Sequence, residues 1–134
     1  MIFYVKDQEK SKDLYSELFS VEPVLHVPGM TEFMLSEKIK LGLMPNSGIN
    51  KIFETSVPHP DKATGIPKCE LYFVVENPDK FLNKATDLGF TELSKLQKRS
   101  WEHTAGYVMD SDGNVLAFAK KNCRLKNSSR QNLS

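Results

Sequence analysis

The chain has little of what several protein classes require. Of its 134 residues only two are cysteines, Cys69 and Cys123, and one is a tryptophan. Two cysteines without motif spacing supply neither a disulfide framework nor a zinc ribbon, so both are predicted to be free thiols in a reducing, cytoplasmic compartment. With a net charge of +1, no basic stripe indicates a nucleic-acid-binding surface. We therefore expect no nucleic-acid partner.

Long apolar runs are also missing. The N-terminal stretch MIFYV becomes charged at Lys6, so it is too short for a signal peptide or a membrane span, and we expect no association with a membrane. The hydrophobic fraction of 40% and the charged fraction of 26% are ordinary for a globular protein. A chain of this length is expected to form one domain with a sizeable core.

The first 44 residues alternate between strand and helix signals. Residues 2–6 are β-rich, Asp7 offers an N-cap, and apolar side chains at helical spacing predict a helix over 8–19. A short strand is expected at 24–27. Residues 31–44 then have the pattern of a hairpin that turns near 36–38. The order is strand, helix and three strands.

The second half repeats this order after a long connection. Residues 45–67 contain four of the seven prolines and few periodic apolar positions, so they are interpreted as a linker and a candidate functional loop. A strand at 69–76, a helix that begins at Asn77-Pro78 and ends before Gly89, and strands near 90–94, 104–110 and 114–120 follow. Residues 121–134 are polar and are expected to form a disordered tail.

Particular residues give this pattern a family resemblance. Val5-Lys6-Asp7 and the helix after them resemble the strand-to-helix signature of the vicinal-oxygen-chelate superfamily, which includes glyoxalase I, bleomycin-resistance proteins and extradiol dioxygenases. Residues 75–89 are similar to that family's second strand and helix. The stretch from Trp101 to DSDGNVLAFA at 110–119 resembles its closing hairpin.

Three positions depart from the family pattern. Ser20 replaces the usual helix-ending glycine, and Glu102 and Ser111 stand where glycine and proline are commoner. The resemblance covers residues 1–120 and implies an α+β fold. In that fold two paired βαβββ modules, at 1–44 and 68–120, form a curled sheet around a concave cavity with the helices outside.

The resemblance also implies where a metal would be held. Metal-dependent members carry His, Glu or Gln on the first and last strands of each module. These positions fall at or before Met1, on Leu43, on Glu70 and on Ala117. Three of the four lack a ligand residue. We therefore expect no metal cofactor and interpret Ala117 as an emptied ligand position on an apolar cavity wall.

Strand alternation selects the other candidate residues of the cavity. Glu70 and Tyr72 are expected to face the concave side, together with Leu43 and Ala117. Glu70 is predicted either to anchor a cation or act as a base, or simply to lie in water at a strand end. Tyr72 is predicted either to donate its hydroxyl to a ligand or to pack.

Trp101 and Arg99 are the remaining candidates. Trp101 either closes over a ligand as an aromatic lid, with Arg99 binding an anionic group, or fills the join between a loop and the sheet. Both interpretations fit the sequence.

These observations favour a metal-free protein that binds a small molecule, with a weak preference for a homodimer. One alternative is a metal-dependent lyase, isomerase or dioxygenase in which His26, His59 or His103 converges on Glu70. Another is an interaction domain whose pocket has collapsed. The sequence names no ligand, because one scaffold carries many chemistries.

Overall fold

The computed structural model describes residues 1–54 and 56–123, and its elements follow the predicted order twice. Module one consists of β1 (Ile2–Val5), α1 (Gln8–Phe19), β2 (Leu25–Val27), β3 (Met30–Ser36) and β4 (Ile39–Pro45). A second helix, α2 (Asn46–Phe53), and a 3-10 turn at Pro60–Ala63 lie in the connection. Module two consists of β5 (Cys69–Val74), α3 (Pro78–Asp87), β6 (Thr91–Lys98), β7 (His103–Met109) and β8 (Asn114–Lys121).

Each module forms one four-stranded mixed sheet. The strand orders are β1-β4-β3-β2 and β5-β8-β7-β6, and in both sheets the first strand pairs in parallel with the last. The helix of each module makes this parallel pairing possible, because parallel strands need a crossover connection. The α+β fold of two βαβββ modules is therefore confirmed.

Helix α1 begins and ends where the sequence predicts. The Asp7 carboxylate accepts the Lys10 backbone N–H at 3.0 Å, and the helix ends at Ser20 in the left-handed region, with φ at 54°. Glu102 also has a positive φ, of 66°. Both residues stand where the family commonly has glycine. A left-handed conformation costs about 1–2 kcal/mol for a residue with a Cβ, so this chain retains strain at two turns.

Side chains of α1 join the cores of the two modules. The Tyr15 ring lies 5.9 Å from that of Phe3 in module one and 5.7 Å from that of Phe90 in module two. Phe19 extends further into module two and lies 5.2 Å from Phe73 and 6.5 Å from Phe118. The helix that crosses the first sheet therefore also contributes to the core of the second.

A buried hydrogen bond adds to these contacts between the two modules. The Tyr15 hydroxyl donates to the Asp110 carboxylate at 2.7 Å, and Asp110 also accepts the backbone and side-chain N–H groups of Asn114. Burial, followed by the charge of Asp110, raises the pKa of Tyr15 well above its ordinary value. Tyr15 therefore stays a neutral hydrogen-bond donor. Nearby, the Lys6 backbone N–H donates to Asp112 at 2.8 Å and ties the end of β1 to the last hairpin of module two.

The predicted loop at 45–67 is wrong over its first part, because residues 46–53 form α2. Ile49, Ile52 and Phe53 have helical spacing, and Ile49 is buried. Gly48 and the preceding Pro45 obscured this signal in the sequence.

The predicted tail lies almost entirely outside the described residues. Lys121 still belongs to β8, and the structure follows the chain to Cys123.

Candidate functional site

Each sheet has one face covered by helix and one face that we call the open face. In module two, Leu71 and Phe73 pack into the core on the helix side, whereas Tyr72 and Val74, which alternate with them, are exposed. Side chains alternate across a strand, so Glu70 lies on the same side as Tyr72. This open face corresponds to the concave side expected from the family.

The prediction that Leu43 lines the concave cavity is wrong. β1 and β4 pair in parallel with Phe3 opposite Leu43, and both side chains are fully buried in the core on the helix side. The open face of β4 is instead formed by Gly42 and Met44. The apolar alternation in this strand therefore marks the core, and the family-based assignment was one residue out of register.

On module two, the strand register brings three of the predicted residues into one neighbourhood. Tyr72 on β5 lies opposite Ala117 on β8, and Ala117 lies opposite Tyr107 on β7. Ala117 is fully buried. Its small side chain therefore forms the floor of the open face between two larger tyrosines. Glu70 lies one pair further along, opposite Val115.

Tyr72, Trp101 and His103 form a hydrogen-bonded cluster on this face. The Trp101 Nε1–H donates to the Tyr72 hydroxyl at 2.8 Å, and the Tyr72 oxygen lies 2.6 Å from Nδ1 of His103. The rings of Tyr72 and His103 stack with their centroids 5.7 Å apart. Trp101 remains half exposed at 49%. The cluster therefore presents aromatic surface to solvent while its polar atoms hold one another in place.

Arg99 is held mainly by the sheet itself. Its Nε and Nη2 groups donate to the Ala105 carbonyl at 3.1 and 2.9 Å, and Nη2 also donates to Ser94 Oγ and the Lys95 carbonyl. The β6–β7 register shifts between Ser94 and Gln97, and the guanidinium bridges this irregularity. It also lies 5.2 Å from the centre of the Tyr107 ring. These contacts use most of the donors that an anionic ligand would need.

Two titratable groups near the site have raised pKa values. Burial, followed by the charge of Glu70, raises the pKa of Tyr107. Burial, followed by the charge of Asp110, raises the pKa of the Cys69 thiol. A raised pKa reduces the thiolate fraction, so Cys69 has the electrostatics of an inert thiol.

The three histidines are engaged at separate places. His26 contacts Glu9 and Thr31, and His59 accepts the Asp61 backbone N–H. His103 lies on the same face as Glu70. Glu70 is level with one end of β7 and His103 is at the other end, so the two are separated by about 20 Å along the strand direction. They therefore do not converge on Glu70. Within 1–54 and 56–123, no group of three or more His, Cys, Asp and Glu side chains is placed to share a metal ion.

Several cavities adjoin these residues. One of about 380 Å³ is lined by Trp101, His103 and Lys121, together with Glu102 and Asn122. Another, of about 300 Å³, lies between the modules and includes Tyr4 and Cys69. A third, of about 740 Å³, surrounds the N-terminus of α1. The first of these is continuous with the aromatic cluster and extends the candidate site toward the end of β8.

Sequence reasoning missed Lys121, and it considered His103 only as a group converging on Glu70, not as a partner of Tyr72. Both lie on the open face, because β7 and β8 pair His103 directly with Lys121. The signal was present in the Asp112-Gly113 turn. Counting outward from that turn along two antiparallel strands brings the two residues together.

Comparisons with known proteins agree with this architecture. The model of the family described as the Glyoxalase/Bleomycin resistance protein/Dioxygenase superfamily matches residues 1–118. No curated protein matches the chain significantly. Among the described residues, no helix has the length and apolarity needed to cross a bilayer.

Solved structures support the same fold. Protein ATC0852 from Agrobacterium tumefaciens is 25% identical, with a TM-score of 0.73 over 92% of this chain and 95% of that one. A lactoylglutathione lyase from the same organism is 16% identical, with a TM-score of 0.65 over 90% of each chain. The fosfomycin resistance protein FosX from Listeria monocytogenes is 14% identical, with a TM-score of 0.65 over 91% of this chain and 90% of that one.

Proposed function

Because the chain belongs to the glyoxalase/bleomycin resistance protein/dioxygenase superfamily, we propose that it binds a small molecule on the open face of module two without a metal ion. The two free cysteines fit a reducing, cytoplasmic setting for this activity. The binding surface is the Tyr72–Trp101–His103 cluster, in which Tyr72 lies opposite the fully buried Ala117. Such a surface, mostly apolar with a few fixed polar groups, is typical of small-molecule sites.

The metal-free part of the proposal rests on one observation, the chemistry of the side chains that could ligate a metal ion. The open-face residues on the first and last strands are Ile2 and Tyr4, Gly42 and Met44, Glu70 and Tyr72, and Val115 and Ala117. Among them only Glu70 is of the His, Glu or Gln type. A single carboxylate leaves most of a divalent ion's coordination to water. These residues do not fit a resident metal.

A thermal-unfolding experiment tests this donor set. We expect Zn²⁺, Ni²⁺, Fe²⁺ or Mn²⁺ to leave the Tm of the purified protein unchanged at stoichiometric concentrations, and a chelator to have no effect. The matched variant is Glu70→Gln. A metal that raises the Tm of the wild type but not of Glu70→Gln would contradict the proposal and favour the enzyme alternative.

Screening the same protein against small molecules tests the surface. A ligand that binds the folded state raises the Tm through mass action, so saturating compounds are expected to stabilise the wild type by several degrees. These shifts should vanish in Trp101→Ala and persist in Ile52→Ala, which truncates another exposed side chain far along the chain on α2. If no compound stabilises the wild type, the interaction-domain alternative gains support.

We propose in addition that two copies of the chain pair through their open faces. β1 and β5 each end a sheet, and they carry exposed apolar side chains: Ile2 at 47%, Tyr4 at 41% and Val74 at 57%. Exposed apolar side chains on an edge strand are a common mark of an interface. A twofold axis that brings β1 of one copy to β5 of the other would cover both surfaces and enclose the binding face.

Sedimentation at micromolar concentration tests the dimer. We expect the wild type to sediment as a dimer and Val74→Glu to sediment as a monomer, because a charge would be buried in the interface. Val24→Glu is the matched control, since Val24 is 61% exposed before β2, at the other edge of the first sheet. A monomeric wild type, or dissociation by Val24→Glu alone, would refute this pairing.

A further inference from the structure

We infer that the end of the module-two open face formed by Trp101, His103 and Lys121 binds a planar organic anion such as an aromatic carboxylate. The inference rests on the proposed function, because it names a ligand class for the same face.

Hydrogen bonding leaves a donor on His103. The Tyr72 oxygen accepts the Trp101 Nε1–H, and the nearest acceptor for its own proton is Nδ1 of His103, at 2.6 Å. An imidazole that accepts at Nδ1 and is neutral carries its proton on Nε2. No described residue accepts from that Nε2 group. With the proton assigned to Nε2, the cluster holds an N–H donor beside the cavity of about 380 Å³.

A positive charge lies next to this donor. Lys121 is paired directly with His103 across the β7–β8 ladder, and both side chains line the cavity. Within the described ranges, the Lys121 ammonium has neither a hydrogen bond nor an ion pair. An ammonium and an imidazole N–H on neighbouring strands suit the two oxygens of a carboxylate.

The shape of the ligand follows from Trp101. Its indole is half exposed, and its N–H is already bonded to the Tyr72 hydroxyl. A planar ring can stack on such a surface while its anionic group contacts His103 and Lys121. The cavity volume is sufficient for a ring of this size.

One group at the site opposes an anion. Glu102 also lines the cavity and carries a carboxylate. Like charges repel, so neutralising this side chain is expected to strengthen anion binding. The inference therefore predicts opposite effects for two neighbouring charges, Lys121 and Glu102.

The test uses three matched probes and the fluorescence of Trp101, which is the only tryptophan of the chain. Benzoate, benzamide and benzylammonium share a ring and differ in charge. Benzoate is expected to change the fluorescence with a Kd on the order of 1 mM, as its few atoms allow. Benzamide and benzylammonium should bind at least about fivefold more weakly, which is the scale of an exposed charge pair.

Variants of the charged side chains test which of them affects benzoate binding. Lys121→Gln should weaken benzoate about fivefold and leave benzamide unchanged, whereas Glu102→Gln should tighten benzoate. Lys120→Gln is the control, because Lys120 is the neighbour on the same strand and points to the other side. Tyr72→Phe should also weaken benzoate, since it removes the group that fixes His103.

Each outcome decides the inference. Equal binding of benzamide and benzoate, or equal effects of Lys120→Gln and Lys121→Gln, would overturn the anion assignment while leaving the open face as a binding surface. No fluorescence change with any probe would also overturn the anion assignment. The proposed function is then judged separately by its compound screen and the Trp101→Ala comparison.

Discussion

Replacing Asp110 by alanine is expected to lower the free energy of unfolding by about 3–5 kcal/mol, because several buried hydrogen-bond donors lose their acceptor at about 1–3 kcal/mol each. Asp110 is only 5% exposed. Its two oxygens accept four hydrogen bonds, from the Tyr15 hydroxyl, the Asp112 backbone N–H, and the backbone and side-chain N–H groups of Asn114. Alanine leaves all of these donors without their acceptor in a site with little access to water.

Smaller changes in the hydrogen-bond network of Asp110 should lower the free energy of unfolding by smaller amounts. Tyr15→Phe removes one bond to a charged group and is expected to cost about 1.5–3 kcal/mol. The double variant Tyr15→Phe/Asp110→Ala should cost less than the sum of the two, because the shared bond is lost only once.

Denaturant unfolding measures these differences. Asp87→Ala is the control, since Asp87 is an exposed carboxylate at the end of α3 and its loss is expected within about 0.5 kcal/mol. A cost below about 1 kcal/mol for Asp110→Ala would mean that the network adds little to holding the modules together.

Replacing Gly113 by alanine is expected to cost about 3 kcal/mol or more, from strain and overpacking together. The backbone at Gly113 has φ at 96°. A Cβ there would stand 2.5 Å from the carbonyl oxygen of Ile66 and 2.9 Å from its nitrogen. Both are backbone atoms, so the segment before β5 would have to move away from the last hairpin.

A variant at Gly89 separates the cost of backbone strain from the cost of overpacking. Its φ is 101°, but a Cβ there would meet nothing within 4 Å. Gly89→Ala should therefore show the conformational cost alone, about 1–2 kcal/mol. The difference between the two variants in denaturant unfolding measures the steric term. Equal losses would show that the chain around Ile66 moves aside at no cost.

Local signals in the sequence were sufficient for most of the fold. The Asp7 cap, the helical spacing over 8–19, Asn77-Pro78 and the Asp112-Gly113 turn each act over a few residues, and the structure has a helix or hairpin at each one. Helix α2 was missed because Gly48 and the nearby prolines lower helix propensity, whereas the contacts of Ile49 with the fold compensate.

The candidate site was less predictable, because it depends on contacts between distant residues. Tyr72 is separated from Trp101 by 29 positions and from His103 by 31, so no local pattern reveals their hydrogen bonds. Leu71 and Phe73, which alternate with Glu70 and Tyr72 along β5, pack on the helix face. Alternation gave the wrong side for Leu43, because an apolar strand has the same pattern whether it faces a core or a pocket.

The position of α1 has a consequence for how the two halves behave as folding units. Their sheets are separate in the described chain, yet Tyr15 and Phe19 from the first half fill the core of the second. Neither half can bury its apolar surface alone, so they gain stability together and lose it together. Two modules that look like independent repeats therefore constitute one cooperative unit.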